Sequence, residues 1–170
     1  LESGVMRPLF LRDGSLLLGQ TGRGWQAKGG KVASLQHVRW DGKTIAPQIK
    51  AMTATATGLR IDLTQPLASN VSGDNLLAAF TLESWTYRDA PDYGSDELDL
   101  QPESIKALRL SEDRKSISVA LSSLAQKNVH PQQTARVYHA RLKAQALFET
   151  NAPDYLDAYY TLRAFPADHE

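Results

Sequence analysis

Residues 49–63 read IKAMTATATGLRIDL and contain the pattern that determines the fold class. Residues 49–54 and 59–63 are two runs of strand length. In the second run every other residue is apolar, and the residues between them are the charged Arg60 and Asp62. A period of two residues is typical of a half-buried strand, so the stretch predicts an antiparallel hairpin with one apolar face.

Further extended runs follow along the chain, divided by Gly, Pro, Asn and Asp. They lie at residues 80–87, 105–110, 116–121, 136–142 and 159–162. Together with the first hairpin they predict about seven strands, the usual number in an immunoglobulin domain. We therefore expect an all-β fold, an Ig-like or fibronectin-like antiparallel β-sandwich, over residues 47–166, with a tail at residues 167–170.

One segment gives two conflicting signals. Residues 132–150 are rich in Ala, Gln, Lys, Arg and Leu, so that propensity alone favours a helix. Neither helical nor strand periodicity dominates there, and we interpret the segment as a strand followed by a loop.

Residues 1–46 differ in character from the rest of the chain. Asp13-Gly14 joins residues 7–11 to residues 15–20, and this dipeptide favours a tight hairpin because it tolerates positive φ angles. A Gly-rich segment, residues 22–30, and a further strand at residues 35–40 follow. We expect the hairpin and the Gly-rich segment to be docked on the sandwich.

Composition excludes several classes of function. Lys and Arg together number 19, as do Asp and Glu, so there is no excess of positive charge to attract nucleic acid. No apolar run approaches the roughly 20 residues that a membrane-spanning helix needs. The opening residues, Leu1 to Gly4, contain neither a start methionine nor a signal-peptide pattern, which we interpret as a boundary within a larger protein.

The sequence contains no motif for catalysis. Cysteine is absent, which excludes a thiol nucleophile and a covalently attached haem in this chain. The four histidines show no metal-ligand spacing. These histidines are His37, His130, His139 and His169. No Gly-x-Ser-x-Gly motif is present. A Ser-His-Asp triad assembled across the fold stays open, but we expect no catalytic residue and no enzyme.

An acidic segment is the candidate metal site. Five carboxylates crowd a short stretch, and hard oxygen ligands of this kind bind calcium. They are Asp89, Asp92, Asp96, Glu97 and Asp99. The EF-hand order is missing, and a solvated acidic loop without a metal is the alternative interpretation.

Aromatic residues are the candidate carbohydrate-binding residues, because flat rings stack on the C–H faces of sugars. The residues in question are Trp25, Trp85, Tyr87 and Tyr93. The alternative is that most of the chain's large rings, Trp40 included, lie in the core or at a domain contact, since exposed aromatic patches mark contact surfaces without naming the partner.

The chain resembles a known family in two places. The segment 13–21, DGSLLLGQT, followed by Gly24-Trp25, Gly29-Gly30 and residues 35–40, LQHVRW, resembles the end of the β-propeller in sugar or sorbosone dehydrogenase-like proteins. The later motifs resemble the Ig-like domain that follows this propeller in large bacterial redox polypeptides. They are residues 59–66, Trp85-Thr86-Tyr87, Tyr93-Gly94-Ser95 and Tyr159-Tyr160-Thr161-Leu162.

The resemblance implies a parent protein that is secreted, extracellular or periplasmic, and involved in oxidising sugars or polysaccharide. Haem or quinone would then belong to neighbouring domains, which would be the partners of this chain. Two functions follow as alternatives. The first is a non-catalytic structural or interaction domain; the second is a carbohydrate-binding module for polysaccharide that uses exposed rings.

Overall fold

The computed structural model describes residues 1–24, 29–88, 91, 93–122 and 135–163. These residues form strands and one short helix, and the chain divides into two compact units, residues 1–44 and 45–170. The elements are, in chain order, β1 (Gly4–Phe10), β2 (Leu16–Thr21), β3 (Ala33–Val38), β4 (Ile49–Thr55), β5 (Gly58–Leu63), α1 (Gly73–Ala79), β6 (Phe80–Thr86), β7 (Leu98–Pro102), β8 (Ile105–Leu110), β9 (Ser116–Leu121), β10 (Arg136–Lys143) and β11 (Tyr155–Leu162).

The first unit is a three-stranded antiparallel sheet in the order β1-β2-β3. The predicted hairpin at Asp13-Gly14 is confirmed: Leu11 N–H donates to the Ser15 carbonyl at 2.8 Å, and Gly14 has a φ of +79°. Pro8 lies on the edge strand β1, where its missing N–H costs no hydrogen bond in the sheet interior.

The second unit is an antiparallel β-sandwich, as predicted. One sheet has the order β4-β5-β9-β8 and the other β11-β10-β6-β7. If the strands are lettered along the chain with β7 left out, these orders are A-B-E-D and G-F-C, which is the immunoglobulin arrangement. Strand β7 is an addition at the edge beside β6.

Alternating side chains of both sheets fill the core between them. In β5 and β9 the fully buried positions include Leu59, Ile61 and Ile117, which face Leu82 of β6 and Leu142 of β10 within one apolar cluster. Strands β4 and β11 are in contact, which closes the two sheets against each other along one edge. The alternation that predicted the first hairpin is therefore the alternation of core and solvent.

Two elements were not predicted. Helix α1 begins with a capping box in which Ser72 and Asn75 bond to each other's backbone N–H groups, and it ends where β6 begins at Phe80. Strand β7 begins at Leu98, at the end of the segment interpreted as an acidic loop. It is short and at an edge, so its alternation is too weak to be detected from sequence.

The ambiguous segment is a strand followed by a loop, as predicted, over residues 136–150; residues 132–134 lie outside the described part. Strand β10 pairs with β6 on one side and β11 on the other. Its backbone is therefore fully bonded in the sheet, and this outweighs a helix propensity of a few tenths of a kcal/mol per residue. The predicted tail, residues 167–170, also lies outside the described residues.

Candidate functional site

The outer face of the sheet β11-β10-β6-β7 carries a cluster of aromatic and charged side chains. Strand alternation places Glu83, His139 and Tyr159 side by side, because Glu83 is paired with His139 and His139 with Tyr159. Trp85 lies two residues along β6 from Glu83 and therefore on the same face.

Three rings form the centre of this face, and we call Trp85, His139 and Tyr159 the aromatic cluster. The His139 and Tyr159 rings are stacked, with centroids 4.3 Å apart and planes 5° from parallel. Trp85 meets both rings edge-on, at 6.3 Å from His139 and 6.2 Å from Tyr159. Tyr159 remains 61% exposed, so a flat aromatic surface is accessible on the sheet.

His139 is held by two carboxylates. Its Nδ1 lies 2.9 Å from Glu83 Oε1 and its Nε2 lies 2.7 Å from Asp157 Oδ1. Both ring nitrogens of His139 therefore have a carboxylate as hydrogen-bonding partner. With both nitrogens occupied, His139 serves as a fixed platform for Tyr159 and has no free nitrogen to act as a base.

Arg141 extends the charged row along β10. Its Nε donates to Asp157 Oδ1 at 2.8 Å, and its guanidinium carbon lies 5.2 Å from the centre of the Tyr155 ring. Both contacts favour the cation in this position. The row therefore continues from the aromatic cluster towards Tyr155 at the start of β11.

Asp157 is hydrogen-bonded to both His139 and Arg141. Partial burial by itself would raise the pKa of Asp157, but the hydrogen bonds from His139 and Arg141 outweigh it, and the pKa is lowered. A carboxylate whose pKa is lower in the folded state stabilises the fold above its unfolded pKa of about 3.9, and this contribution is lost as the pH falls through the folded value.

We therefore expect Asp157→Asn to lower the free energy of unfolding at pH 7 and to have a smaller effect at pH 3. The reason is that the wild-type carboxylate loses its charge in acid and with it the advantage over the amide. Urea unfolding of both proteins at the two pH values measures this. An equal difference between variant and wild type at both pH values would contradict the assignment.

The predicted carbohydrate-binding residues differ in their exposure to solvent. Trp25 lies outside the described residues. Trp85 and Tyr87 are half-buried, and Tyr93 is fully exposed beyond the end of β6. Trp40 is exposed as well, and the buried ring on strand β10 is that of Tyr138. The alternative that the large rings lie in the core or at a domain contact stays open.

The predicted calcium ligands are only partly described, since Asp89 and Asp92 lie outside the described residues. Asp96 and Glu97 are exposed, and Asp99 lies in β7 with its carboxylate 2.9 Å from the guanidinium of Arg136. Within the described residues no group of three or more His, Asp or Glu side chains is placed to hold a metal ion. The calcium site stays a prediction that depends on Asp89 and Asp92.

One Ser-His-Asp group does come together, in the N-terminal sheet. The Ser15 hydroxyl donates to Asp13 Oδ1 at 2.6 Å, and His37 Nε2 lies 2.7 Å from the same hydroxyl. In a catalytic triad the histidine stands between serine and carboxylate. Here the serine stands between the other two, and Ser15 is buried, so the group stabilises the Asp13-Gly14 turn. The other two histidines, His130 and His169, lie outside the described residues.

Sequence reasoning missed most of the outer face. Glu83, His139, Arg141, Asp157 and Tyr159 were not selected as site residues. A signal was present, because each strand carries polar or aromatic residues at every second position. What was missing is the register that brings the three strands together.

Comparisons with protein-family models, with curated proteins and with solved structures found no match to this chain. In the part of the chain that the structure describes, no helix has the length and apolar character needed to cross a membrane.

Proposed function

We propose that this chain is a non-catalytic interaction domain of a secreted multidomain redox protein associated with sugar or polysaccharide oxidation. One observation carries the proposal: the three-stranded sheet of residues 1–44 exposes apolar side chains on both faces. Phe10 and Val38 share one face, and Leu9 and Leu35 share the other. Phe10 is 77% exposed and Leu35 is 69% exposed.

A sheet with apolar side chains on both faces is typical of a layer that packs between two others. Each blade of a β-propeller has such surroundings, which agrees with the resemblance of this segment to the end of a propeller. The partners are then the neighbouring domains of the same polypeptide. The extracellular or periplasmic location and the redox role rest on that resemblance, and haem or quinone would be bound by those neighbours.

The proposal that this chain does not catalyse a reaction is supported by its described histidines. Both nitrogens of His139 are bonded to carboxylates, and His37 belongs to a turn-stabilising group with Ser15. The Ser15 hydroxyl donates its proton to Asp13 and is buried, so the His37 group presents no accessible nucleophile that a base activates, as acyl or group transfer would need.

Replacing one exposed apolar residue on each face tests the docking surface. We expect Phe10→Ser/Leu35→Ser to bind less of the apolar dye ANS than the wild type, with an unchanged melting temperature of the sandwich. The reason is that both side chains already face solvent, so their loss removes apolar surface without opening the core. Arg12→Ser, an exposed polar residue of the hairpin turn, is the control and is expected to behave as the wild type. A wild type that binds no dye would contradict the proposal.

The partner itself is tested by cross-linking within the complete polypeptide. Lys31 and Lys43 lie exposed in the first unit, and we expect lysine cross-links from them to neighbouring domains. Cross-links from these lysines only to other residues of this 170-residue segment would overturn the proposed docking.

A second function, carbohydrate binding, is favoured by the aromatic cluster. Trp85 and Tyr159 offer ring surface on an open sheet face, and ionised side chains that can bond to hydroxyl groups surround them. A fluorescence titration with soluble polysaccharides, with and without calcium, tests this function. Saturable binding that is lost in Trp85→Ala supports it. A flat response in every condition leaves the interaction domain as the only proposed function.

A further inference from the structure

A groove lies beside the connection between β10 and β11, where strand β11 begins. Its volume is about 520 Å³, and Tyr155 of strand β11 forms part of its wall. The remaining lining comes from α1, from the end of β10 and from the connection between β10 and β11: Asn75, Ala78, Ala79, Lys143, Gln145, Ala146 and Asp154. All of these residues belong to the described part of the chain.

The groove and the aromatic cluster are connected along strand β11. Tyr155, Asp157 and Tyr159 occupy alternate positions that face outwards, while Leu156 between them is buried. Residues four apart on a strand are separated by about 13 Å, so the rings of Tyr155 and Tyr159 lie at the two ends of an extended row. A ligand that contacts both rings must be several sugar units long.

The middle of this row is polar. Asp157 lies between the two tyrosines, and Arg141 on the neighbouring strand bonds to Asp157 and lies over one face of the Tyr155 ring, which stays 47% exposed. Lys143 is paired with Tyr155 between β10 and β11, and it also lines the groove. The row therefore alternates ring, ion pair and ring, which suits a chain of units that each have an apolar face and hydroxyl groups at the edge.

The charges along the row compensate each other. The carboxylates are Glu83, Asp154 and Asp157, and the cations are Arg141 and Lys143; His139 is bonded to two of the three carboxylates. Because both signs alternate along the row, the face has no excess of positive charge that would select an acidic ligand. Carboxylates accept hydrogen bonds and the cations donate them, and hydroxyl groups can do both.

We propose that the outer face binds a neutral oligosaccharide that runs along β11, with one sugar on the Tyr159 and Trp85 rings and another on Tyr155 in the groove. The proposal deepens the second function above and depends on carbohydrate binding by this domain. Asp157, Arg141 and Lys143 bond to hydroxyl groups between the two ring contacts.

The test is a titration of the 170-residue chain with neutral oligosaccharides of increasing length, with an acidic uronate oligosaccharide for comparison. The panel contains β-glucan, mannan and xylan fragments, and binding is followed by intrinsic fluorescence and calorimetry. For a long fragment we expect Tyr159→Ala and Tyr155→Ala each to weaken binding about tenfold, which corresponds to about 1.4 kcal/mol. For a disaccharide only Tyr159→Ala is expected to matter, because the short ligand cannot reach Tyr155.

Tyr93→Ala is the matched control, because Tyr93 is an exposed tyrosine outside the row. Its affinity is expected to equal that of the wild type. Since Tyr155 and Tyr159 are exposed as well, their variants are expected to keep the wild-type melting temperature.

Each outcome separates the row from the function on which it depends. Neutral glycan binding that survives in both tyrosine variants, or that is lost in Tyr93→Ala, overturns the row but leaves carbohydrate binding in place. Binding of the uronate fragment alone overturns the neutral ligand. No saturable binding of any fragment overturns both the row and the carbohydrate function.

Discussion

Arg136→Met is expected to lower the free energy of unfolding by about 3–5 kcal/mol, because it removes one partner of a buried ion pair. Arg136 is 3% exposed, and its Nε donates to the Ser84 hydroxyl at 2.7 Å. That hydroxyl in turn donates to the carboxylate of Glu103, which is 4% exposed and lies 3.9 Å from Arg136 Nε. Without the guanidinium, the charge of Glu103 is left buried and uncompensated.

Arg136 also holds the edge strand β7. Its guanidinium bonds to both the carboxylate and the backbone carbonyl of Asp99, at 2.9 and 3.1 Å. Asp99 has a φ of +52°, a conformation that a residue with a side chain adopts at some cost. We therefore expect the backbone amide hydrogens of β7 to exchange faster with solvent in Arg136→Met than in the wild type.

Urea unfolding measures the loss of free energy. In thermal unfolding the melting temperature is expected to fall by roughly 10–20 °C. The double variant Arg136→Met/Glu103→Gln is expected to recover part of the loss, because the unpaired charge is removed. Arg60→Met is the control: Arg60 forms an exposed ion pair with Asp62, and its loss is expected to cost about 1 kcal/mol or less. Equal losses for the two arginine variants would show that the Arg136 network does not stabilise the fold.

Gly58→Ala is expected to cost about 3 kcal/mol, the upper end for overpacking a core, because the clash involves backbone. A β carbon at Gly58 would lie 1.9 Å from the carbonyl oxygen of Val119 on the neighbouring strand β9. Gly58 is paired with Ala120 where β5 begins, so β5 and β9 would have to separate at this point.

Gly73→Ala is the matched control, since a β carbon there meets nothing within 4 Å. Gly73 is the first residue of helix α1, where alanine is a better helix former, and we expect a gain of about 0.5 kcal/mol. Thermal unfolding of the two variants measures both effects. A Gly58→Ala variant as stable as Gly73→Ala would show that β5 and β9 are not as close as described.

Several features of the fold could be predicted because they depend on neighbours in the sequence. The alternation in residues 59–63 identified a strand with one buried face, and Asp13-Gly14 identified a turn. Helix α1 and strand β7 could not be predicted in the same way. Helix α1 is only about two turns long and begins with a capping box. Strand β7 is an edge strand stabilised by Arg136, which is distant in sequence.

The candidate site shows the same division. The two-residue period of a strand puts Trp85 and Glu83 on one face of β6, which requires only the sequence. It did not show that the face points away from the core, nor that His139 and Tyr159 lie beside it. A strand face that packs in the core and one that forms a contact surface have the same alternation in the sequence.

The sequence by itself determined the class of fold, the positions of most strands and which side chains share a face within each strand. These properties follow from the period of two residues in an extended chain and from the φ angles that turns require. Only the tertiary structure decided the register between β6, β10 and β11, and with it the meeting of Glu83, His139 and Asp157. Pairing between strands far apart in the chain depends on packing of the whole core, which no local pattern encodes.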